Sequence, residues 1–291
     1  MEHHANDRSP RRPVEPTFLG LGVLKAGTTL LHSWLADHPQ VCVPRDRKEV
    51  DYFTEHYDRG QAWYRSLFAP TMGQVIGEYS ITYIESPEAL DRIARELPGV
   101  KCIVSLRDPV YRLDSQYRHW AMRTGYRGSR RDFIAEHPNA INSSLYAAKL
   151  ERLRRLFPAE QILVLLFEDI TSNPAGAARQ MFQFIGVDPA VEVDTDRRAN
   201  VTRGVQWRAA AAVRERVRGY ALDRDQRWLL QFGRMLRLGK MTVTSRHERG
   251  IPSRIKPDEA AELRPLFVED TERAAQLLDR DLLSIWLSYG A

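Results

Sequence analysis

A short apolar segment that runs into a polar, glycine-containing turn and then into a helix constrains this chain most. The apolar segment spans Thr17 to Val23, the turn follows at residues 24–29, and Leu30, Leu31, Trp34 and Leu35 then recur at helical spacing. A strand, loop and helix in this order bring the unpaired N–H groups and the positive dipole end of the helix to the point where the strand ends. The segment therefore predicts a loop that binds a phosphate-like anion.

The residue types of this loop suit an anion. Gly27 lets the backbone approach a ligand closely, and Thr28 and Thr29 supply hydroxyl donors that also suit a helix N-terminus. Lys25, followed by Ala26, places an ammonium group beside the anion. Taken alone, the loop leaves a second interpretation open, in which Thr28 only caps the helix and Lys25 points to solvent.

The order of lysine and glycine separates this loop from two common nucleotide-binding patterns. Lys25 precedes Gly27, so the segment matches neither GxxxxGK(S/T) nor GxGxxG. A P-loop-like kinase acting on a small molecule remains an alternative, and so does a nucleotide-binding or protein-interaction module without chemistry. The kinase predicts ATP turnover that depends on Mg²⁺.

Short apolar segments alternate with helical patterns along the first two thirds of the chain. We predict strands over residues 17–23, 40–43, 75–78, 102–106 and 162–167, and helices over residues 60–68, 87–97, 110–122, 143–156 and 174–185. Such alternation is typical of parallel βαβ units with helices on both faces of the sheet. The prediction is an α/β fold, a P-loop-like three-layer αβα arrangement whose central parallel sheet has about five strands.

The character of the sequence changes near residue 187. We predict a helical stretch over residues 206–238, a mobile segment over 239–256 and an amphipathic helix from Pro257 to Leu278, which together form a C-terminal helical elaboration. The first 16 residues are rich in Arg and Pro and predict a disordered tail. Residues 17–291 are interpreted as one domain.

Composition excludes several function classes. With 43% hydrophobic and 28% charged residues the chain is typical of a folded protein, and its formal charge of +5 comes without a basic, aromatic-interleaved stripe that would indicate nucleic-acid binding. Cys42 and Cys102 lie in apolar surroundings, and two cysteines are too few for a disulfide framework. No His, Cys or Asp cluster has metal-ligand spacing. The apolar runs are too short to span a bilayer and no signal peptide is visible, so a soluble, cytoplasmic protein is expected.

A second anion site is predicted where a later strand ends. The strand that contains Cys102 ends in Arg107, and Pro109 stands at a plausible helix start. Ser115 follows Arg107 by about two helical turns, so one helix face presents both side chains to a single phosphate. The planar guanidinium of Arg suits phosphate oxygens. A surface pair between Arg107 and Asp108 is the alternative.

These two segments resemble the sulfotransferases that use 3′-phosphoadenosine 5′-phosphosulfate (PAPS). The turn Lys25-Ala26-Gly27-Thr28-Thr29 resembles the family's 5′-phosphosulfate loop, and residues 106–117 look like its 3′-phosphate motif, RDPxxRxxSxY. The resemblance implies that PAPS is the co-substrate and that no metal takes part. It also implies that Lys25 contacts the donor's bridging oxygen and stabilises the leaving nucleotide.

Residues 47–53 resemble the K-E-x-x-F/Y-F motif of heparan sulfate sulfotransferases and their bacterial relatives. The resemblance implies that Glu49 is the general base, since a neutral alcohol attacks sulfur poorly unless its proton leaves as the bond forms. Asp51 stands where many relatives have His. Residues 77–83 resemble the family's E-K-T-P-x-Y segment, but Tyr79 replaces the Lys and Ile81 the Pro.

Looser resemblances complete the expected site. Arg203, Arg249 and Gly250 fall where relatives have loops that close over the nucleotide, and we expect them to bind the donor. The acceptor is expected to be a hydroxyl or amine on a small molecule, a glycolipid or a carbohydrate, attacked in line with release of 3′-phosphoadenosine 5′-phosphate (PAP). We expect four residues to border the acceptor entrance: His119, Trp120, Arg123 and Tyr126. The N-terminal anchor of Golgi relatives is not recognised in this sequence, which favours a cytoplasmic, bacterial-type enzyme.

Overall fold

The structure is a computed structural model that describes residues 14–195 and 252–288. The chain divides into two compact units. The first comprises Met1–Leu113, Pro138–Ala199 and Lys256–Ala291, and the second comprises Asp114–His137 and Asn200–Ile255. The assignment of residues 17–291 to one domain stays a prediction.

Strands and helices alternate through the described residues. The strands are β1 (Phe18–Gly22), β2 (Val41–Cys42), β3 (Val75–Tyr79), β4 (Lys101–Leu106) and β5 (Ile162–Leu166). The helices up to residue 195 are α1 (Thr28–Asp37), α2 (Gly60–Ser66), α3 (Pro87–Glu96), α4 (Pro109–Thr124), α5 (Arg130–Glu136), α6 (Asn139–Asn142), α7 (Ala147–Leu156), α8 (Phe167–Ser172) and α9 (Pro174–Ile185). After residue 252 follow α10 (Pro257–Leu263), α11 (Val268–Leu278) and α12 (Leu282–Ser288).

The five strands form one parallel sheet in the order β2-β3-β1-β4-β5. This confirms the predicted parallel sheet of about five strands. β1 lies in the centre and pairs with β3 on one side and β4 on the other. Because all the strands are parallel, the loops that follow β1, β3 and β4 leave the sheet at the same edge, which is where α/β proteins bind ligands.

Helices cover both faces of the sheet. Side chains alternate along β4, so that Cys102 and Val104 belong to one buried cluster and Ile103 to the other. The cluster with Ile103 also contains the apolar faces of α1 and α9, and the cluster with Cys102 contains those of α3 and α7. Burial on both faces explains why these strands read as continuous apolar runs rather than as alternating ones.

Several predicted boundaries are wrong. The helix predicted over residues 143–156 begins only at Ala147, where the N–H groups of Tyr146 and Ala147 donate to the carboxylate of Asp270. The helix predicted from Pro257 to Leu278 is interrupted by a 3₁₀ turn at Arg264–Leu266. Its central residue is Pro265, which has no N–H to continue a helix.

Other differences concern segment ends. Phe167 begins α8 instead of ending β5, and α5 and α6 were not predicted. Val14, from the predicted tail, packs against the core, and Glu15 pairs with Arg65 at 2.5 Å. The helix predicted over residues 206–238 lies outside the described residues, as does most of the segment 239–256.

The close approach of β1 and β3 depends on two glycines. A Cβ at Gly77 would lie 2.4 Å from the carbonyl oxygen of Phe18, a backbone atom that cannot move away, and a Cβ at Gly20 would lie 2.2 Å from the ring of Tyr79. The paired register of Gly20 with Tyr79 thus lets the tyrosine ring lie against β1.

We expect Gly77→Ala to lower the free energy of unfolding by about 1–3 kcal/mol, because the new methyl group overpacks the contact between β1 and β3. Gly99→Ala is the matched control, since a Cβ there meets nothing within 4 Å, and its effect should stay within about 0.5 kcal/mol. Urea denaturation of the three proteins measures both values. Equal midpoints for the two variants would contradict the proposed close approach.

Candidate functional site

The loop after β1 presents an uncapped helix N-terminus at the sheet edge. Gly27 is the N-cap of α1 with φ 85°, a left-handed conformation that favours glycine, and no side chain caps it. Lys25 also has positive φ, at 70°. The N–H of Ala26 donates to the carbonyl of Val23 at 3.3 Å, which closes the turn. The first turn of α1 therefore has no side-chain cap on its N–H groups, an arrangement that suits the predicted anion.

Lys48 joins this loop to Glu49. Its Nζ donates to Thr28 Oγ1 at 3.0 Å and to Thr29 Oγ1 at 3.4 Å, and it forms an ion pair with Glu49 Oε1 at 3.0 Å. Our sequence reasoning missed Lys48 as a site residue, although it is the lysine of the K-E-x-x-F/Y-F segment. The structure thus brings the predicted general base to the predicted phosphate loop.

Arg107 reaches the same loop from β4. Its guanidinium Nη1 donates to the carbonyl of Lys25 at 3.3 Å, and its Cζ lies 4.2 Å from the centre of the Phe167 ring. The hydroxyl of Tyr146 donates to the carbonyl of Arg107 at 2.7 Å. These contacts place Arg107 beside the loop. Ser115 lies within α4 and belongs to the second unit.

Asp108 caps the helix that follows Arg107. Its Oδ1 accepts from the N–H groups of Val110 at 2.8 Å and Tyr111 at 3.2 Å, and its Oδ2 pairs with Arg264 at 3.0 Å. Burial raises the pKa of Asp108, and the charge of Arg264 opposes that rise. The predicted alternative, a surface pair between Arg107 and Asp108, is wrong, because Asp108 is fully buried and pairs with Arg264.

Glu168 connects the C-terminal helix α12 to the backbone beside Arg107. This buried carboxyl group accepts from the N–H of Asp108 at 3.1 Å and from Trp286 Nε1 at 3.2 Å. Burial raises the pKa of Glu168. Trp286, on α12, is itself buried. The backbone next to Arg107 is therefore supported by residues that lie far apart in the sequence.

Arg112 lies buried directly behind the phosphate loop. Its Nη1 donates to the carbonyl of Leu24 at 3.4 Å, its Nη2 to the carbonyl of Ala140 at 2.5 Å and its Nε to Ser144 Oγ at 2.5 Å. Burial lowers the pKa of Arg112. This arginine, the second of the RDPxxR motif, therefore links the start of α4 to the chain that enters the loop.

Glu78, at the end of β3, is a fully buried carboxyl group. It accepts from Ser80 Oγ at 2.7 Å, from the hydroxyl of Tyr83 at 2.6 Å and from the hydroxyl of Tyr64 at 3.3 Å. Burial raises the pKa of Glu78 to about 8, although these hydrogen bonds oppose the rise and the nearby charge of Asp51 adds to it. The sequence analysis did not single out Glu78, whose burial only the fold reveals.

Two of the three departures from the resembled motifs, Tyr79 and Asp51, have structural roles. Tyr79 is fully buried, and its hydroxyl donates to the carbonyl of Gly22 at 3.2 Å beneath the phosphate loop. The carboxyl group of Asp51 accepts from Thr82 Oγ1 at 2.7 Å. Burial is the main reason that the pKa of Asp51 is raised.

The residues expected at the acceptor entrance lie in the second unit. Trp120 is exposed, and its ring centre lies 5.0 Å from that of His137. The ring of Tyr126 packs edge-on against Phe133 at 6.2 Å. His119 and Arg123 lie on α4 with Trp120. Arg203, Arg249 and Gly250, the expected donor-binding residues of the C-terminal part, lie outside the described residues.

No helix in the described part of the chain is both long and apolar enough to cross a membrane. Among residues 14–195 and 252–288, no three His, Cys, Asp or Glu side chains come together as a metal site requires. Cys42 and Cys102 are buried and carry free thiols.

Comparison with known proteins identifies relatives. A family model described as a sulfotransferase domain matches residues 15–218. Mouse heparan sulfate glucosamine 3-O-sulfotransferase 6 is 34% identical over 204 residues, which cover 67% of this chain and 59% of that protein, so the chain spans little more than half of that relative's length.

Two solved structures show the same fold. The crystal structure of a sulfotransferase from Alicyclobacillus acidocaldarius has a TM-score of 0.67 at 23% identity and covers 93% of this chain and 98% of its own. Mouse sulfotransferase SULT7A1 complexed with PAP has a TM-score of 0.52 at 10% identity, with 94% and 88% of the two chains covered.

The raised pKa of Glu78 predicts how stability depends on pH. Glu78 stays protonated in the folded chain up to about pH 8, whereas in the unfolded chain it ionises near its ordinary pKa of 4.5. The contribution of protonated Glu78 to the free energy of unfolding is therefore complete below pH 4.5. It is lost as the pH rises to about 8, by at most about 1.4 kcal/mol for each pH unit. We expect the stability difference between the wild type and Glu78→Gln to fall over this window and to level off above it. Urea denaturation from pH 5 to 9 measures it, and parallel curves would contradict the assignment.

Proposed function

Because this chain belongs to the sulfotransferase domain family, as the match over residues 15–218 shows, we propose that it transfers a sulfuryl group from PAPS to an acceptor and releases PAP. The observation that carries the proposal is the contact of Lys48 with both Thr28 and Glu49. This contact supports the proposal because it connects the carboxylate that we propose as the base to the loop that we propose for the phosphosulfate.

We assign the binding of PAPS to three groups of residues. Residues 25–29, with the first N–H groups of α1 and the ammonium of Lys25, bind the 5′-phosphosulfate, and Arg107 binds the 3′-phosphate. The contact between Arg107 and the carbonyl of Lys25 supports this division, since it brings a guanidinium to the edge of the loop. Ser115 is proposed as a second donor to the 3′-phosphate. Arg203, Arg249 and Gly250 are proposed, on the sequence alone, as residues that close over the nucleotide.

The reaction is an in-line displacement at sulfur. The acceptor oxygen attacks the sulfuryl group as its proton passes to Glu49, a new S–O bond forms, and the bond from sulfur to the bridging oxygen breaks. The electron pair of that bond stays on the departing 5′-phosphate of PAP, where Lys25 neutralises the developing charge. Positioning and charge stabilisation supply most of the rate enhancement, as in phosphoryl transfer. Lys48 adds a second cation between the loop and the base.

A carbohydrate hydroxyl is the proposed acceptor. The mouse relative is named for 3-O-sulfation of heparan sulfate glucosamine. The family model that this chain matches covers the part of the chain that carries Lys25, Glu49 and Arg107. Hydroxyl groups of small molecules or glycolipids, and amines, would accept a sulfuryl group by the same chemistry. The transfer assay below distinguishes these acceptors from a carbohydrate. His119, Trp120, Arg123 and Tyr126 are proposed to border the acceptor entrance.

The family match does not favour the other two functions. A small-molecule kinase would need a nucleotide triphosphate loop, and this loop has its lysine before the glycine rather than after it. A module without chemistry would have no need of a lysine that connects the anion loop to a carboxylate.

Two substitutions test the proposed function. The protein is incubated with sulfur-labelled PAPS and, separately, with heparan sulfate oligosaccharides and an extract of its source cells, and the labelled products are identified. We expect Glu49→Gln to lower kcat about 10²- to 10⁴-fold, because the general base is lost. Lys25→Ala should lower it about 10²- to 10³-fold, because the leaving group loses its charge partner.

Glu55→Gln is the matched control, since Glu55 is an exposed carboxylate on the same segment and should retain the wild-type rate. Calorimetric titration with PAP shows whether each variant still binds the nucleotide, and Glu49→Gln should bind it like the wild type. Unchanged transfer in both Lys25→Ala and Glu49→Gln would contradict the assignment.

We also propose a cytoplasmic location. The support is that Cys42 and Cys102 are buried free thiols, the state that a reducing compartment maintains. Fractionation of the source cells with an antibody against the chain should recover it with cytoplasmic markers. Recovery with membrane or secreted markers would contradict this proposal.

A further inference from the structure

We infer that Glu78 is a positioning residue which, through the hydroxyl groups of Ser80 and Tyr83, fixes the backbone that carries Glu49. The inference rests on the proposed function, since it concerns the accuracy with which the general base is held. It assigns a purpose to a buried carboxyl group whose hydrogen bonds come from Ser80, Tyr83 and Tyr64.

Three successive backbone N–H groups follow Glu49, and all three are held by two hydroxyl groups. The N–H groups of Val50 and Asp51 both donate to Ser80 Oγ at 2.9 Å, and that of Tyr52 donates to the hydroxyl of Tyr83 at 2.9 Å. Each hydroxyl group in turn donates a hydrogen bond to a different oxygen of Glu78, at 2.7 Å from Ser80 and 2.6 Å from Tyr83. One carboxyl group therefore orients both acceptors.

Because this hydrogen-bond network is buried, it favours one conformation of residues 50–52. Glu78, Ser80 and Tyr83 have no exposed surface, and Tyr52 has 1%. Water cannot replace a lost partner there, so any other path of residues 50–52 leaves buried N–H groups unpaired. Each such group costs about 1–3 kcal/mol. The network thus favours a single conformation of the chain next to Glu49.

Asp51 shows that the chain is held in a conformation it would not adopt by itself. Its φ is 53°, in the left-handed region that a non-glycine residue seldom occupies. Its carboxyl group accepts from Thr82 Oγ1, and its carbonyl accepts from the N–H groups of Glu55 at 2.8 Å and His56 at 3.2 Å. Such a conformation persists only where the surroundings fix it.

Glu49 is consequently held at two points, which we call its anchors, next to the neighbouring strands β3 and β1. Its backbone continues into the residues held from the end of β3, while its side chain pairs with Lys48, which contacts the first residues of α1 after β1. β1 and β3 are paired in parallel, so the two anchors keep a fixed separation. Weakening the Glu78 anchor should displace Glu49 and leave the donor loop unchanged.

Tyr83→Phe and Tyr64→Phe form a matched pair of variants. Both hydroxyl groups donate to the same oxygen of Glu78, and both tyrosines are buried. Only the hydroxyl of Tyr83 also accepts from the N–H of Tyr52. A general loss of packing or of hydrogen bonds to Glu78 would lower the rate of both variants alike. If Glu78 positions Glu49 through Tyr83, only Tyr83→Phe lowers the rate.

The experiment measures sulfuryl transfer from PAPS, PAP affinity by calorimetry and thermal unfolding for the wild type and both variants. We expect Tyr83→Phe to lower kcat about ten- to a hundredfold, the size expected when a catalytic group is misplaced. Its PAP affinity should remain within about twofold, because the donor loop is unaffected. Tyr64→Phe should keep kcat within about threefold under the same conditions. Ser80→Ala repeats the test on the other hydroxyl and should behave like Tyr83→Phe.

Combination with Glu49→Gln shows whether the effect passes through Glu49. If it does, Tyr83→Phe lowers the residual rate of Glu49→Gln by less than about twofold, because no base is left to position. Equal kcat values for Tyr83→Phe and Tyr64→Phe, or a parallel loss of PAP affinity, would overturn the inference and leave the proposed function intact. Absence of transfer by the wild type itself would instead contradict the proposed function.

Discussion

The parallel pairing of β1 with both β3 and β4 is the constraint on which the site depends. Since the three strands end at one edge of the sheet, the loop at residues 24–29, the segment after Glu78 and the chain at Arg107 meet there. The close approach of β1 and β3 requires Gly77, where even a methyl group would overlap backbone. Sheet geometry, more than any single side chain, therefore determines which residues can act together.

Two buried networks then fix the site from opposite sides. On the β3 side, Glu78 orients hydroxyl groups that hold the chain after Glu49. On the β4 side, Glu168 receives the N–H of Asp108 and the indole of Trp286, which supports the backbone next to Arg107. Glu168 holds backbone directly, and Glu78 holds it through hydroxyl groups. A group in such a place has its pKa raised by burial, so a raised pKa alone does not identify the base.

Much of this arrangement could be predicted from the sequence, because apolar runs and the turn at Lys25 have local causes. The alternation of elements indicated the parallel sheet, and the RDP segment indicated Arg107. The contacts of Lys48 and Glu78 could not be predicted, since they depend on which loops become neighbours after folding. The break at Pro265 was visible in the sequence, but the amphipathic pattern around it concealed the 3₁₀ turn. The packing of the Tyr79 ring against Gly20 of the neighbouring strand explains a tyrosine at this position, and this contact depends on strand register that the sequence does not reveal.

A crystal structure of this protein with PAP tests the account most directly. The account predicts the 5′-phosphate on residues 25–29 and the first N–H groups of α1, with Lys25 Nζ beside it, and the 3′-phosphate on the guanidinium of Arg107. It also predicts that the Glu49 carboxylate faces the 5′-phosphate end of the nucleotide, with residues 50–52 still bonded to Ser80 and Tyr83. PAP bound away from this loop, or Glu49 turned away from the 5′-phosphate, would contradict it.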